Sequence, residues 1–354
     1  MNFYFPIRLI LFLAIIFITA VVSGCEKRVT ESEFLLNTIV DVTIISKDNT
    51  DQAMHIAFGA IRNVENLMSS YNNDSEIALI NKNAGKSYVK VSPETYNLIK
   101  KSIDFSIMTD GVFDISVAPI VDLWGFNQQE RHIPSEKELE KALSLVGYKK
   151  ILLDDKNNSV FLQKEGMKID LGAIAVGYAV DKAINALKEI GINKALINAG
   201  GEIYALGLPK KKKAWRIGIQ HPRQKGDLLG SIDIKDNAVS TSGDYENCFE
   251  ENGKRYCHIL NPKTGMPVDK IMSVTVIADN TTDADALSTA LMLMKPNEAI
   301  ELVERLENIE CIIVAGTSKK DMKILLSKGL EIITFEEAGY YRFRLRDFNE
   351  YNNI

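Results

Sequence analysis

Glu246-Asn247-Cys248-Phe249-Glu250-Glu251-Asn252-Gly253-Lys254-Arg255-Tyr256-Cys257-His258-Ile259 reads as two short strands folded back on each other. Asn-Gly is the strongest two-residue hairpin signal, because both residues accept the positive φ that the tight turn needs. Working outward, strand-like runs at Lys194–Ile197, Trp215–Gln220, Ser231–Ile234 and Met272–Ala278 surround the hairpin. Two helical stretches, Asp283–Met294 and Pro296–Leu306, follow, and short strands close the chain. Strands gathered in runs, with helices grouped around them, point to an α+β fold rather than to regular βαβ alternation.

The N-terminal half supplies most of the helices. Thr38–Ser46 alternates as a strand does. Thr50 is expected to cap a helix whose apolar stripe runs Ala53, Ile56, Ala57, Ala60, Ile61, Val64, Leu67 and Met68. Ser92-Pro93 opens a second helix. Ser135 with Glu138 spells a capping box for a third, and Ile174–Ile190 reads as a fourth. After residue 30 there is no repeat, low-complexity tract or Pro/Ser-rich linker, so residues 25–354 read as one integrated unit of mixed and antiparallel sheet flanked by helices.

Of the 354 residues, 46% are hydrophobic and 25% charged, a balance that can bury a sizeable core. Net charge is −5, and removing residues 1–24, whose only charge is Arg8, leaves −6. A nucleic-acid binder normally carries a basic footprint, so that class is excluded. The one basic run, Lys210–Lys213, reads as a solvated hairpin tip, with contact to anionic lipid as the other reading.

Residues 1–24 have the form of an export signal: Arg8, an apolar stretch from Leu9 to Val22, then Ser23-Gly24. The stretch is shorter than the roughly 20 residues of a comfortable spanning helix, although an uncleaved anchor is the competing reading. Val22-Ser23-Gly24-Cys25 resembles the bacterial lipobox, which implies lipidation of Cys25 and a cell-envelope location facing the periplasm or exterior. Cys248 and Cys257 flank the hairpin turn. Counting outward from Asn252-Gly253 sets them opposite each other at a non-hydrogen-bonded pair, where Cα atoms lie about 4.5 Å apart. A disulfide is expected there, with two reduced, buried thiols as the alternative.

Several stretches carry chemistry. In Asp283-Ala284-Asp285-Ala286-Leu287-Ser288-Thr289, Asp285 and Thr289 stand four apart and share a helix face. A carboxylate and a hydroxyl among small residues leave room for a hard cation such as Mg²⁺. Those residues equally suit a helix start and a hydroxyl bonding back to its own backbone. Gly172, Ala173 and Gly177 straddle another helix start, where free N–H groups suit phosphate and small residues also suit tight packing. Asn198-Ala199-Gly200-Gly201-Glu202 has the look of a phosphate-hugging turn. His258 ends a strand before a Pro-x-Thr-Gly turn, placed either to act as a general base or to hold structure. Gly111–Pro119, leading into Leu123-Trp124-Gly125-Phe126, offers rings that stack on a flat ligand or fill a core.

Taken in order, Gly111–Pro119 with Leu123–Phe126, Asp170–Asp181, Asn198–Glu202, Ser240–Glu246, His258–Gly265 and Asp283–Ala290 resemble the successive blocks of the ApbE family of FAD:protein FMN transferases. The resemblance spans roughly residues 34–335. It implies a T-fold-like α+β unit that takes FAD as substrate, with Mg²⁺, and joins FMN to a threonine hydroxyl of an acceptor protein as AMP leaves. Carried over by position, it implies metal ligands at the backbone oxygen of Ala173, Asp285 and Thr289. Flavin contacts are implied at Leu36, Tyr71, Val112, Phe113, Asp114, Asp170, Val176 and Ile259, with His258 and Asp285 as catalytic residues. Acceptors implied are proteins with FMN-binding domains, such as subunits of membrane redox pumps. Three positions depart from the family pattern: Leu36-Asn37-Thr38 stands for Met-Gly-Thr, Val176 for a common Lys, and Asn261 for a frequent Asp. An FAD pyrophosphatase that uses water in place of threonine, and a non-catalytic flavin-binding lipoprotein, are the rival readings.

Overall fold

In the computed structural model, residues 26–47, 49–126, 131–210, 213–335 and 339–346 are described. The expected export signal and Cys25 lie outside them, as do Lys211 and Lys212 of the basic run. Lys210 and Lys213 bridge to each other, as a hairpin tip requires.

An eight-stranded sheet forms the centre. Its spatial order is β1 (Lys27–Leu35), β2 (Thr38–Ser46), β6 (Ala195–Ala199), β7 (Glu202–Leu206), β10 (Asn237–Gly243), β13 (Ile271–Ala278), β14 (Glu310–Ala315) and β15 (Lys323–Leu326). Every neighbouring pair in it is antiparallel. A three-stranded sheet holds β3 (Val89–Lys90), β4 (Ile151–Asp154) and β5 (Ser159–Leu162). A four-stranded sheet holds β8 (Trp215–Gln220), β9 (Leu228–Ile234), β16 (Leu330–Phe335) and β17 (Tyr341–Leu345), with β17 parallel to β9. β11 (Cys248–Glu251) and β12 (Lys254–Cys257) make the expected hairpin.

The helices are α1 (Thr50–Met68), α2 (Glu76–Lys82), α3 (Pro93–Met108), α4 (Ala118–Trp124), α5 (Glu136–Leu143), α6 (Ala175–Glu189), α7 (Thr281–Met292) and α8 (Pro296–Val303). Ser92 caps α3, and the Ser135–Glu138 capping box starts α5, as the sequence predicts. At α1 the cap is Asn49 in the left-handed region, one residue before the expected Thr50.

Three layers result. Val40, Val42, Val274, Val276 and Ala278 turn toward α1, α6 and α7, forming the larger core. Ala205, Val239, Ile277, Ile312 and Val314 point the other way, against Trp215, Ile217, Ile232 and Phe343 of the four-stranded sheet. Alternate residues of β13 enter opposite cores, so the whole strand is buried. This α+β arrangement, antiparallel apart from the β17–β9 pair, agrees with the sequence reading. A third cluster, centred on Trp124, Phe126 and Tyr256, lies under the β11–β12 hairpin.

Candidate active site

Each half of the site grows from a different local device. The first is the crossing of α6 and α7. Asp285 is buried one turn into α7, and its Oδ2 accepts the Gly177 N–H of α6 at 2.9 Å. A Cβ on Gly177 would lie 2.4 Å from the Thr281 carbonyl oxygen and 2.7 Å from Asp285 Cβ. Only glycine allows this approach, so Gly177 serves the packing of two helices and gives its N–H to a carboxylate rather than to phosphate. One turn further along α7, Thr289 Oγ1 lies 3.3 Å from Ser242 Oγ. A chain of hydroxyls continues from Ser242 to Ser288 at 2.7 Å, to Ser240 at 3.2 Å, and from Ser240 to Glu202 Oε1 at 3.5 Å.

The electrostatics of this half are lopsided. Burial, with the charge of Asp181 nearby, pushes the Asp285 carboxyl up to about 7. Burial and then the charge of Asp285 push Glu202 well above the ordinary carboxylate range. Asp285 thus raises Glu202, and Asp181 raises Asp285, so three acids crowd one enclosed region. Asp285, Thr289 and the carbonyl of the half-buried Ala173, in the turn leading to α6, are all oxygen donors. Among the described residues no group of three or more His, Cys, Asp or Glu gathers closely enough to hold a metal. A shell of one carboxylate, one hydroxyl and one carbonyl, completed by water and substrate phosphate, suits magnesium.

The second device is a cavity of about 230 Å³ whose lining includes Leu36, Tyr71, Asp170, Gly172, Ala175 and Val176. Leu36 and Asn37 form the β1–β2 turn with φ +53° and +61°. A leucine in the left-handed region costs about 1 kcal/mol. The Leu36 N–H is held by Glu65 Oε1 of α1 at 2.8 Å. Asp170 accepts Ser70 Oγ at 2.9 Å and the Gly172 N–H at 2.6 Å, closing the rim. Tyr71, 60% exposed, has its hydroxyl pKa raised by partial burial and by the Asp170 and Asp122 charges.

Four of the eight expected flavin residues therefore line one cavity, and the other four do not line it. Phe113 is buried, its ring 5.9 Å from Phe105. Both oxygens of Asp114 are spent: Oδ1 accepts the Ser116 N–H and hydroxyl, and Oδ2 the Tyr148 N–H. Ile259 is buried, its carbonyl accepting the Val268 N–H. Val112 is half-buried in the same loop as Phe113 and Asp114. That loop abuts the cavity rim through the Asp170 N–H, which donates to the Ile115 carbonyl at 2.8 Å.

His258 follows β12. Its Nδ1 is buried with no hydrogen-bond partner among the described residues, a rare state for a buried polar atom. Burial, reinforced by the Arg131 cation, lowers its pKa and keeps the imidazole neutral. The hairpin that carries it rests on Trp124, whose ring lies 5.5 Å from Tyr256 and 6.1 Å from Phe126, and whose Nε1–H donates to the Gly265 carbonyl at 2.8 Å. These aromatics are core, not a flavin platform.

Two further expectations are corrected. Cys248 does face Cys257 across the hairpin, but both are free thiols, contacting the Tyr245 and Ile259 carbonyls respectively. Burial pushes the Cys257 thiol up to about 12, which leaves it unreactive. The Gly200-Gly201 turn joins β6 to β7; both glycines have positive φ, and the Gly201 N–H is taken by Asn198 Oδ1 at 3.0 Å. Its donor is not free for phosphate.

Sequence reasoning passed over Glu65 and Ser70, and placed Asp181 and the serines at 240, 242 and 288 inside family-like blocks without giving them a role of their own. Asp181 alone carried a readable signal, four residues beyond Gly177 on the same helix face. The others act across strands and helices far apart in sequence.

The ApbE family model matches residues 36–313. The chain is 35% identical over 272 residues to a FAD:protein FMN transferase of Klebsiella pneumoniae, covering 76% of this chain and 83% of that one. It is 34% identical over 247 residues to a FAD:protein FMN transferase of Escherichia coli, covering 68% and 70%. Among solved structures, an ApbE protein of Thermotoga maritima superposes with TM-score 0.79 at 36% identity, over 85% of this chain and 97% of that one. A variant of the flavin transferase ApbE of Vibrio cholerae, with glycine in place of a histidine, superposes with TM-score 0.77 at 28% identity, over 85% and 98%.

Proposed function

The chain belongs to the ApbE family, and from that premise we propose that it transfers the FMN half of FAD to a threonine hydroxyl of an acceptor protein. The observation that carries this reading is the pairing of a buried carboxylate at Asp285, one helical turn from the Thr289 hydroxyl, with a cavity lined by Leu36 and Tyr71. Asp285, Thr289 and the carbonyl of Ala173 would hold Mg²⁺, which neutralises charge on a pyrophosphate. The cavity binds and orients FAD, with Leu36 as an apolar wall and Tyr71 at the mouth. The neutral imidazole of His258 takes the proton of the acceptor hydroxyl. The hydroxyl oxygen then forms a bond to the phosphorus on the FMN side, the pyrophosphate bond breaks, and AMP departs. The product is a phosphoester between protein and flavin.

Residues 1–24 serve as an export signal in this proposal, and Cys25 carries the lipid that tethers unit 25–354 in the cell envelope. The acceptors are accordingly exported proteins with FMN-binding domains, membrane redox-pump subunits among them.

The test is to incubate the enzyme with FAD, Mg²⁺ and a candidate acceptor, then weigh the acceptor by intact mass spectrometry. An acceptor heavier by one FMN phosphoester, with stoichiometric AMP, supports transfer. Free FMN and AMP beside an unlabelled acceptor would overturn it in favour of a pyrophosphatase. Loss of membrane fractionation in Cys25→Ser checks the anchor separately.

A further inference from the structure

The first turn of α7 is held by a side chain from another helix. Helices leave their first N–H groups without intrahelical partners, and a residue of the same chain segment normally caps them. Here Asp181 of α6 accepts the Thr281 N–H on Oδ1 at 2.8 Å and the Thr282 N–H on Oδ2 at 2.8 Å. The Thr282 hydroxyl donates to the same Oδ2. Asn280, the local cap, is left with the Asp283 N–H alone, at 2.9 Å.

The contact is reciprocal. One turn before Asp181 on α6, the Gly177 N–H donates to Asp285 of α7. Thus the backbone of α6 holds the side chain of α7, and a side chain of α6 holds the backbone of α7. The missing Cβ of Gly177, seated against the Thr281 carbonyl, brings the two contacts to one crossing. A negative charge at a helix N-terminus adds a favourable dipole interaction.

We propose that Asp181 is a positioning residue for the cation site: it fixes the rotation and height of α7 so that Asp285 and Thr289 meet the Ala173 turn at the head of α6. Asp181 itself does not touch the cation; its two oxygens are occupied by α7. This rests on the cation reading given under Proposed function, and the experiment separates the two.

Mg²⁺ binding is measured directly by calorimetry on the whole protein, without turnover, for wild type, Asp181→Asn, Asp181→Glu and Ser92→Ala. Ser92→Ala removes the cap of α3, which carries none of the proposed cation ligands. That helix touches α6 through Glu94–Lys182 and α7 through Lys101–Asp283, so the variant controls for lost stability around the crossing. Asp181→Asn keeps shape but only one acceptor oxygen, and Asp181→Glu keeps charge but displaces both. The expected result is at least about tenfold weaker Mg²⁺ binding in whichever Asp181 variants fold, the range for residues that orient a metal ligand. Ser92→Ala is expected to lower the melting temperature with the Mg²⁺ affinity unchanged. Wild-type affinity in a folded Asp181 variant, or an equal loss in Ser92→Ala, overturns the proposal. Absence of Mg²⁺ binding by the wild type overturns the cation reading instead.

Discussion

The proposed cation half and the flavin half of this site are made of opposite materials. Asp285 and Thr289 sit on a helix sealed between α6 and the central sheet, with each early N–H of α7 given a side-chain or backbone acceptor. Leu36, Tyr71 and His258 sit on turns and strand ends, one in a strained backbone conformation and one with an orphaned ring nitrogen. In the proposed reading the first half needs one exact geometry for a small ion, and the second admits a large substrate and then a protein. The buried Asp285 stands on a packed helix, and the exposed Tyr71 stands at the mouth of the cavity.

The comparison breaks most easily at Asp285. Asp285→Ala is expected to cut FMN transfer on the order of 10⁴-fold, more than about 5 kcal/mol of barrier, with little change in FAD binding measured by flavin fluorescence. Residual transfer within tenfold of wild type refutes the cation assignment.

His258→Ala should cost roughly 10²-fold or more in turnover with Mg²⁺ affinity intact. The pH profile sharpens this. Burial holds the imidazole below its ordinary 6.5, so the base is present at and above that value and is lost as pH falls through the lowered pKa. The same sign governs folding: the unfolded chain takes the proton first, so stability is complete above 6.5 and declines below it. A rate that rises as the solution is acidified contradicts the assignment.

Gly177→Ala acts on the crossing. Its new Cβ has no room beside the Thr281 carbonyl and Asp285, so a loss of about 1–3 kcal/mol in denaturant unfolding is expected, with weaker Mg²⁺ binding alongside. The smallest effect belongs to the flavin half. Val176→Lys returns a cation to the cavity wall and should lower the KM for FAD about threefold, under ~1 kcal/mol, an effect that fades with added salt.

The fold class was legible because its signals are local. Asn252-Gly253 set a hairpin register, Ser92-Pro93 and Ser135–Glu138 set helix starts, and strand clustering set the class. The Asp285–Thr289 pair was legible for the same reason, since four residues on a helix share a face. What escaped was anything made by contact across the fold. Trp124 and Phe126 look like a ring platform until Tyr256 and Phe249, more than a hundred residues away, cover them. Gly177 looks like phosphate chemistry until Thr281 presses against it. Asp114 looks like a ligand contact until Tyr148 and Ser116 consume its oxygens. Period and spacing do not report which face another element will occupy.

β13 has no side open to water, and its amides are paired on both flanks with β10 and β14. Its protons should therefore be among the last to exchange with deuterium, near the free energy of global unfolding, while those of the two-stranded hairpin exchange through a smaller local opening. On warming, the hairpin that carries His258 would open before the α6–α7 crossing does, so transfer should fail while the proposed cation ligands still stand in place.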